Sequence, residues 1–299
     1  MRYTTPIEKN PKSVPDSPWL KRTSLMRAQI GVLSLLFLIV YAPIFPMLVY
    51  DWSYDPNYSH GFLIPLISGY LVWQQRKKLA LQKTAPSNWG LVVVALGLAM
   101  YIAANIAAEL YTMRVSMLVV LSGILLSMAG KQVFKTLLFP IGYLLFMIPI
   151  PYIIYNLIAF PLKLFVSEQA TLLLNLMNIP VLREGNILHL ATGPLEVVDA
   201  CSGIRSLISL LALSAVFGYL TLNSNLKRGV LLISTIPIAI LTNVLRVAVT
   251  GILAHFYGQQ VAEGFLHEAS GIVVFVSALA CLVGIGGLLK WIKPQETFS

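Results

Sequence analysis

Long apolar runs separated by short polar segments dominate the 299-residue chain. A helix that crosses a bilayer needs about 20 predominantly apolar residues. The pattern predicts eight such helices, at approximately 29–50, 60–76, 88–108, 113–130, 133–150, 203–221, 229–250 and 268–290. Residues 152–180 form a further apolar stretch, interrupted by Lys163, Glu168, Pro161 and Pro180. It reads as a ninth span, a re-entrant pair or an interfacial helix. The following stretch, "VLREGNILHLATGPLEVVD" (181–199), alternates apolar and polar residues. With a turn signal at Gly193-Pro194 it predicts a short β-hairpin. The first apolar run is too long for a signal-peptide core and lacks a small-residue cleavage site, so it reads as a retained anchor. The fold class predicted is all-α: a polytopic transmembrane bundle of about eight spans, with an interfacial or re-entrant segment and one small hairpin.

Composition supports lipid as the solvent. Hydrophobic residues make up 57% of the chain and charged residues 11%, against roughly 25% charged in a soluble domain. The net charge of +9 would raise nucleic-acid binding in a soluble protein. Here the cations cluster between apolar runs, and no aromatic-basic stripe or nucleic-acid motif accompanies them, so no nucleic-acid partner is expected. No internal repeat, low-complexity tract or glycine-rich phosphate loop is visible.

Charge also orients the bundle. With the N-terminus in the cytoplasm and 152–180 kept on the outer side, the inner segments hold 16 of the 21 Lys and Arg residues. These are the six of the N-terminal tail, then Arg76, Lys77, Lys78 and Lys83, then Lys131 and Lys135, Lys227 and Arg228, and Lys290 and Lys293. The remaining five are Arg114, Lys163, Arg183, Arg205 and Arg246. This asymmetry fits the positive-inside rule. A full crossing by 152–180 would invert every later loop. The expected organisation is a basic cytoplasmic tail (1–28), one transmembrane domain (29–293) and a short cytoplasmic tail (294–299), in a plasma or inner membrane.

That topology gathers chemistry on the outer face. Cys201 stands at the entrance of the span that begins near Ser202, and Arg205 lies four residues on, on the same helical face. The next span carries Asn243 and Arg246 near its outer end, at i and i+3. His267 and Glu268 stand at the mouth of the last span. A helix N-terminus and a nearby guanidinium both stabilise a thiolate. His267 is placed to take the thiol proton and return it to a leaving amine. Arg246 is placed to stabilise an oxyanion on a scissile carbonyl, with Asn243 orienting it. Plainer readings stand beside these: Arg205 and Arg246 as snorkelling side chains, His267 as an interfacial histidine, and His189 and His255 as loop or hairpin residues. His60, at the outer end of the second span, reads equally as a substrate-binding or a packing residue. Cys281, in mid-run, reads as a buried thiol that suits helix packing. No metal-ligand spacing occurs, and neither a metal nor another cofactor is expected.

The segments "ACSGIRSL" (200–207), "TNVLRV" (242–247) and "FLHE" (265–268), in that order, resemble the exosortase/archaeosortase family of membrane cysteine transpeptidases. "YSHGFLIPLISGYLVW" (58–73) and "IPVLREGNIL" (179–188) extend the resemblance over most of residues 30–290. The resemblance implies a processing peptidase or transpeptidase acting on exported proteins that end in a short motif such as Pro-Glu-Pro, a transmembrane helix and a basic tail. It implies cleavage near that motif on the outer side, and transfer to an acceptor molecule. The family's catalytic cysteine, arginine and histidine fall on Cys201, Arg246 and His267. Arg205 belongs to the cysteine motif, and Asn243, His60 and Glu268 are candidates for supporting the site or binding substrate. The competing reading is a transporter or polysaccharide-export component, whose polar residues would gather near the membrane midplane.

Overall fold

The structure, a computed structural model, describes residues 18–197, 203–258 and 265–291, with side chains placed for 28–197, 203–258 and 271–291. The chain divides into two compact units, Met1–Pro46 and Met47–Ser299. In the first, α1 (Pro18–Tyr41) is a single helix whose apolar part is Ala28–Tyr41, and α2 (Ile44–Tyr54) begins.

The second unit is helical apart from one small sheet. It contains α3 (Leu63–Gln74), α4 (Arg76–Leu81), α5 (Trp89–Ile106), α6 (Leu110–Ala129) and α7 (Lys131–Tyr143). After these come α8 (Tyr152–Leu176), strands β1 (Val181–Glu184), β2 (Ile187–Leu190) and β3 (Gly193–Glu196), then α9 (Ile204–Thr221), α10 (Asn225–Tyr257) and α11 (Phe265–Trp291). Among the described residues six helices are long and apolar enough to cross a membrane, or seven if the broken pair Ala28–Tyr41 and Ile44–Tyr54 is one span. The runs expected to span at 60–76 and 133–150 are not among these; each joins a shorter α-helix to a 3-10 turn. A 3-10 turn (Pro56–Phe62) precedes α3, and another (Leu144–Met147) follows α7. With these extensions the two runs reach about 32 and about 28 Å, close to the ~30 Å hydrocarbon thickness.

α5 and α6 form a tight antiparallel hairpin. A Cβ at Gly123 would lie 2.6 Å from the Val94 backbone nitrogen and 2.9 Å from the Gly90 carbonyl oxygen. Only glycine permits that approach, which is how helices gain van der Waals contact where lipid offers no hydrophobic driving force. α9, α10 and α11 pack as an antiparallel trio. Leu210, Ala239 and Ala278 meet at one depth, and Leu222, Leu231 and Leu282 meet nearer the other end.

Two ends of the second unit can be told apart by contact. At one, Gln75 Nε2 donates to Tyr219 Oη at 3.0 Å. Arg228 caps the C-terminus of α9 there, donating to the Leu222 and Tyr219 carbonyls at 2.9 and 3.3 Å. This is the basic end. At the other, the 3-10 turn at 56–62, the turn before α6, the 147–152 segment and the start of α9 come together.

α8 has the length and apolarity of a span, but its contacts lie at the second end. Tyr155 and Ala159 pack on Ile204, in the first turn of α9. Leu174, one turn from its C-terminus, packs against Gly251 of α10. Gly251 lies eight residues past Asn243, which sits beside Gly203. At 1.5 Å per residue that is about 12 Å further from the basic end. α8 therefore runs away from the basic end and does not descend beside α9. This accounts for the interrupted apolar pattern of 152–180.

The predicted hairpin is a three-stranded antiparallel meander, β1-β2-β3. Glu184 pairs with Ile187 and Leu190 with Gly193, so the two-residue turns fall at Gly185-Asn186 and Ala191-Thr192. The Gly193-Pro194 signal marks the start of β3. Leu188, Leu190 and Leu195 bury against Val166, Ala170 and Leu174 of α8 and Val244, Val247 and Ala248 of α10. Cys281 is another correction: it is exposed on α11. An apolar run does not distinguish the face that meets a neighbouring helix from the face that meets lipid.

Gly123→Val should force α5 and α6 apart and cost about 1–3 kcal/mol. A thermal melt of the detergent-solubilised protein checks this, and an unchanged melting temperature would contradict the close approach.

Candidate functional site

The N-terminus of α9 is built on Gly203, whose φ of 81° and ψ of −5° place it in the left-handed region. Its carbonyl accepts from the Leu207 backbone N–H at 2.8 Å and from Ser206 Oγ at 2.9 Å. A Cβ at this position would meet Asn243 Cγ and Nδ2 at 3.0 Å. Glycine is thus required both by the backbone angle and by the buried Asn243 side chain, 1% exposed. Cys201 falls within residues 198–202, outside the described residues, two positions before this glycine.

One turn further along α10, the half-buried Arg246 reaches the last helix. A Cβ on Gly271 would lie 3.6 Å from one guanidinium nitrogen and 3.8 Å from Cζ. His267 and Glu268 fall in the first turn of α11, where the helix backbone alone is described; His267 is one turn before Gly271. The structure thus joins α9 to α10 through Gly203 and Asn243, and α10 to α11 through Arg246 and Gly271.

Arg205 and His60 turn the other way, towards each other's elements. Arg205 Nε donates to Asn57 Oδ1 at 3.3 Å, and Ser209 Oγ lies 3.4 Å from His60 Nδ1. Arg205 and Ser209 are one turn apart on α9, so that face clasps the 3-10 turn. Asp55 caps the turn, accepting from the Asn57 backbone N–H at 2.9 Å. His60 therefore packs beside α9. His189, in β2, lies 3.3 Å from a Glu184 carboxylate oxygen, and His255 is in the last turn of α10.

A cavity of about 310 Å³ opens beside this clasp, lined by Asn57 and Tyr155 among others. Its polar wall consists of Asp51, Asp55, Glu109 and Arg114. Arg114 Nη2 bonds an Asp51 carboxylate oxygen at 2.6 Å, and the Arg114 side chain is 5% exposed. Glu109 caps α6, accepting from the Tyr111 and Thr112 backbone N–H groups at 2.9 and 2.7 Å. Desolvation opposes its charged form, but these hydrogen bonds and the nearby Arg114 hold its carboxyl below the ordinary glutamate value. Among the described residues no group of three His, Cys, Asp or Glu side chains is arranged to hold a metal ion. The sequence reading missed Asn57, Ser209 and this cavity. The signal available was the density of polar residues in "DWSYDPNYSH" (51–60) between two apolar runs.

Fold and site together define a multi-pass membrane protein with buried polar groups converging on one end of its bundle. The family model for transmembrane exosortase matches residues 52–284, and the chain belongs to that family. Searches of curated proteins and of solved structures find no significant match.

Gly203→Ala should cost about 1–2 kcal/mol, because an L side chain at this φ is strained and must also displace Asn243. Thermal unfolding in detergent would show it; a neutral result would mean that the start of α9 is not held as described.

Proposed function

We propose that this protein is a membrane-embedded cysteine peptidase or transpeptidase that cleaves C-terminal sorting signals of exported proteins on the extracytoplasmic side. The observation that supports the reading is that Gly203 at the start of α9, two residues after Cys201 in the sequence, meets Asn243 of α10, and Arg246 of α10 meets Gly271 of α11, in a chain of the exosortase family. The basic end, with Arg76 and Arg228, is cytoplasmic by the positive-inside rule. The site end then faces outwards, and α8 with the β-sheet sits over it as a roof.

In the reaction, His267 takes the Cys201 thiol proton and the thiolate attacks the scissile carbonyl carbon. Arg246 stabilises the negative charge that develops on the carbonyl oxygen. The positive end of α9 favours the thiolate beforehand. Collapse of the tetrahedral intermediate breaks the C–N bond, and His267 returns its proton to the leaving amine. That leaves a thioester on Cys201 and releases the signal's helix with its basic tail. Water or an acceptor amine then attacks the thioester and restores the thiol. The substrate's helix enters laterally from the bilayer. Asn243 orients Arg246, Arg205 holds the site to the 3-10 turn through Asn57, and His60 and Glu268 border the substrate path.

Cys201→Ala should abolish processing of a tagged reporter that ends in a motif, an apolar span and a basic tail, while leaving the enzyme in the membrane. Retained cleavage would sink the cysteine mechanism. Sidedness has its own check. In a background lacking Cys201 and Cys281, a cysteine at Thr192 should react with an impermeant maleimide added outside intact cells, and one at Lys78 should not. The reverse pattern would invert the topology.

A further inference from the structure

The cavity beside the clasp has a charge pattern that the mechanism above does not use. Arg114 is committed to Asp51 through Nη2, yet its Nε is buried with no hydrogen-bond partner among the described residues. An N–H donor left in this state costs free energy unless a ligand oxygen completes it. The carboxylates of Asp55 and Glu109 also line the space. Each caps a backbone N–H group, and each retains lone pairs for a further donor. Three carboxylates against one guanidinium make the cavity a poor place for an anion. The ligand that fits must accept from Arg114 Nε, donate to a carboxylate and carry no negative charge where it binds. A peptide group meets all three requirements, since each offers one acceptor and one donor. The remaining wall, including Tyr58, Tyr111, Pro149 and Pro151, offers flat apolar surface to a chain. At about 310 Å³ the space is at the small end of ligand pockets, suited to a short segment.

Position argues the same way. Asn57 lines the cavity and accepts from Arg205. Tyr155 lines it and packs on Ile204. The cavity therefore abuts the first turn of α9, three residues after Cys201.

We propose that this cavity is a substrate subsite that holds a short stretch of the exported polypeptide next to the scissile bond, with Arg114 Nε donating to a main-chain carbonyl oxygen and Asp51 positioning the guanidinium. The assignment rests on the peptidase reading above and deepens it.

Arg114→Lys tests it. Lysine keeps a cation for Asp51 but has no Nε–H donor of the same geometry. Leu110→Trp, at a cavity-lining position that is 45% exposed, narrows the space and keeps both members of the ion pair. Initial rates are measured in proteoliposomes against the density of the tagged reporter, with a thermal melt of each variant. Both variants should raise KM about tenfold or more and leave kcat within a few-fold of the wild type. In a Cys201→Ala background, a photo-crosslinking residue at Tyr111 should capture the uncut reporter. If the wild type cleaves the reporter and both variants keep the wild-type KM, the subsite is wrong although the peptidase is right. If Arg114→Lys proves unstable in the melt, Leu110→Trp alone decides. If the wild type cleaves nothing, the underlying reading falls, and the subsite falls with it.

Discussion

A polar group inside a bilayer must find its partner within the protein, because hydrocarbon offers none. That constraint shapes this molecule. Among the described residues, some buried polar side chains bond locally along a helix, as Ser116 and Thr235 do, and others bond a neighbouring element. Ser68 Oγ bonds the Pro140 carbonyl across α3 and α7 at 2.8 Å, and Arg114 is fixed by Asp51. Arg205 finds Asn57, and Asn243 fills the space that a glycine leaves. The opposite end carries Arg76 and Arg228, which bond carbonyls at the C-termini of α3 and α9. The difference between the two ends gives the fold its direction, and with it a place for chemistry.

The site's geometry depends on close approach more than on charge. Gly203 lets α9 begin against Asn243, and the Arg246 guanidinium lies beside Gly271 of α11. α8 and the small sheet supply a second packed layer over the same end, through Leu188, Leu190 and Leu195. Their shared core explains why a 33-residue α10, about 50 Å long, exceeds the thickness of a bilayer: its last turns belong to this layer.

Much of this was legible in the sequence, for physical reasons that differ by feature. The spans were visible because lipid demands long apolar runs, and the basic end because cations avoid crossing. Asn243 and Arg246 were visible because polar residues inside such runs are costly. The facing of each helix was not legible. Cys281 looks buried in the sequence but meets the exterior, because apolar residues serve equally against lipid and against protein. The third strand was hidden because Gly185-Asn186 is a quieter turn signal than Gly193-Pro194. The cavity was hidden because Asp51, Asp55, Glu109 and Arg114 come from two separate segments, and nothing in either indicates the other. The two composite runs were read as plain helices because a 3-10 turn and an α-helix carry similar apolar patterns over so few residues.

The central claim is that Cys201 carries the substrate as a thioester during turnover. Mass analysis of the enzyme quenched in acid during reporter turnover tests this most directly. The account predicts a Cys201-linked peptide whose mass equals the reporter's N-terminal fragment less one water, released by hydroxylamine as the hydroxamate. Active turnover with an unmodified Cys201, or an adduct that hydroxylamine does not release, would contradict it.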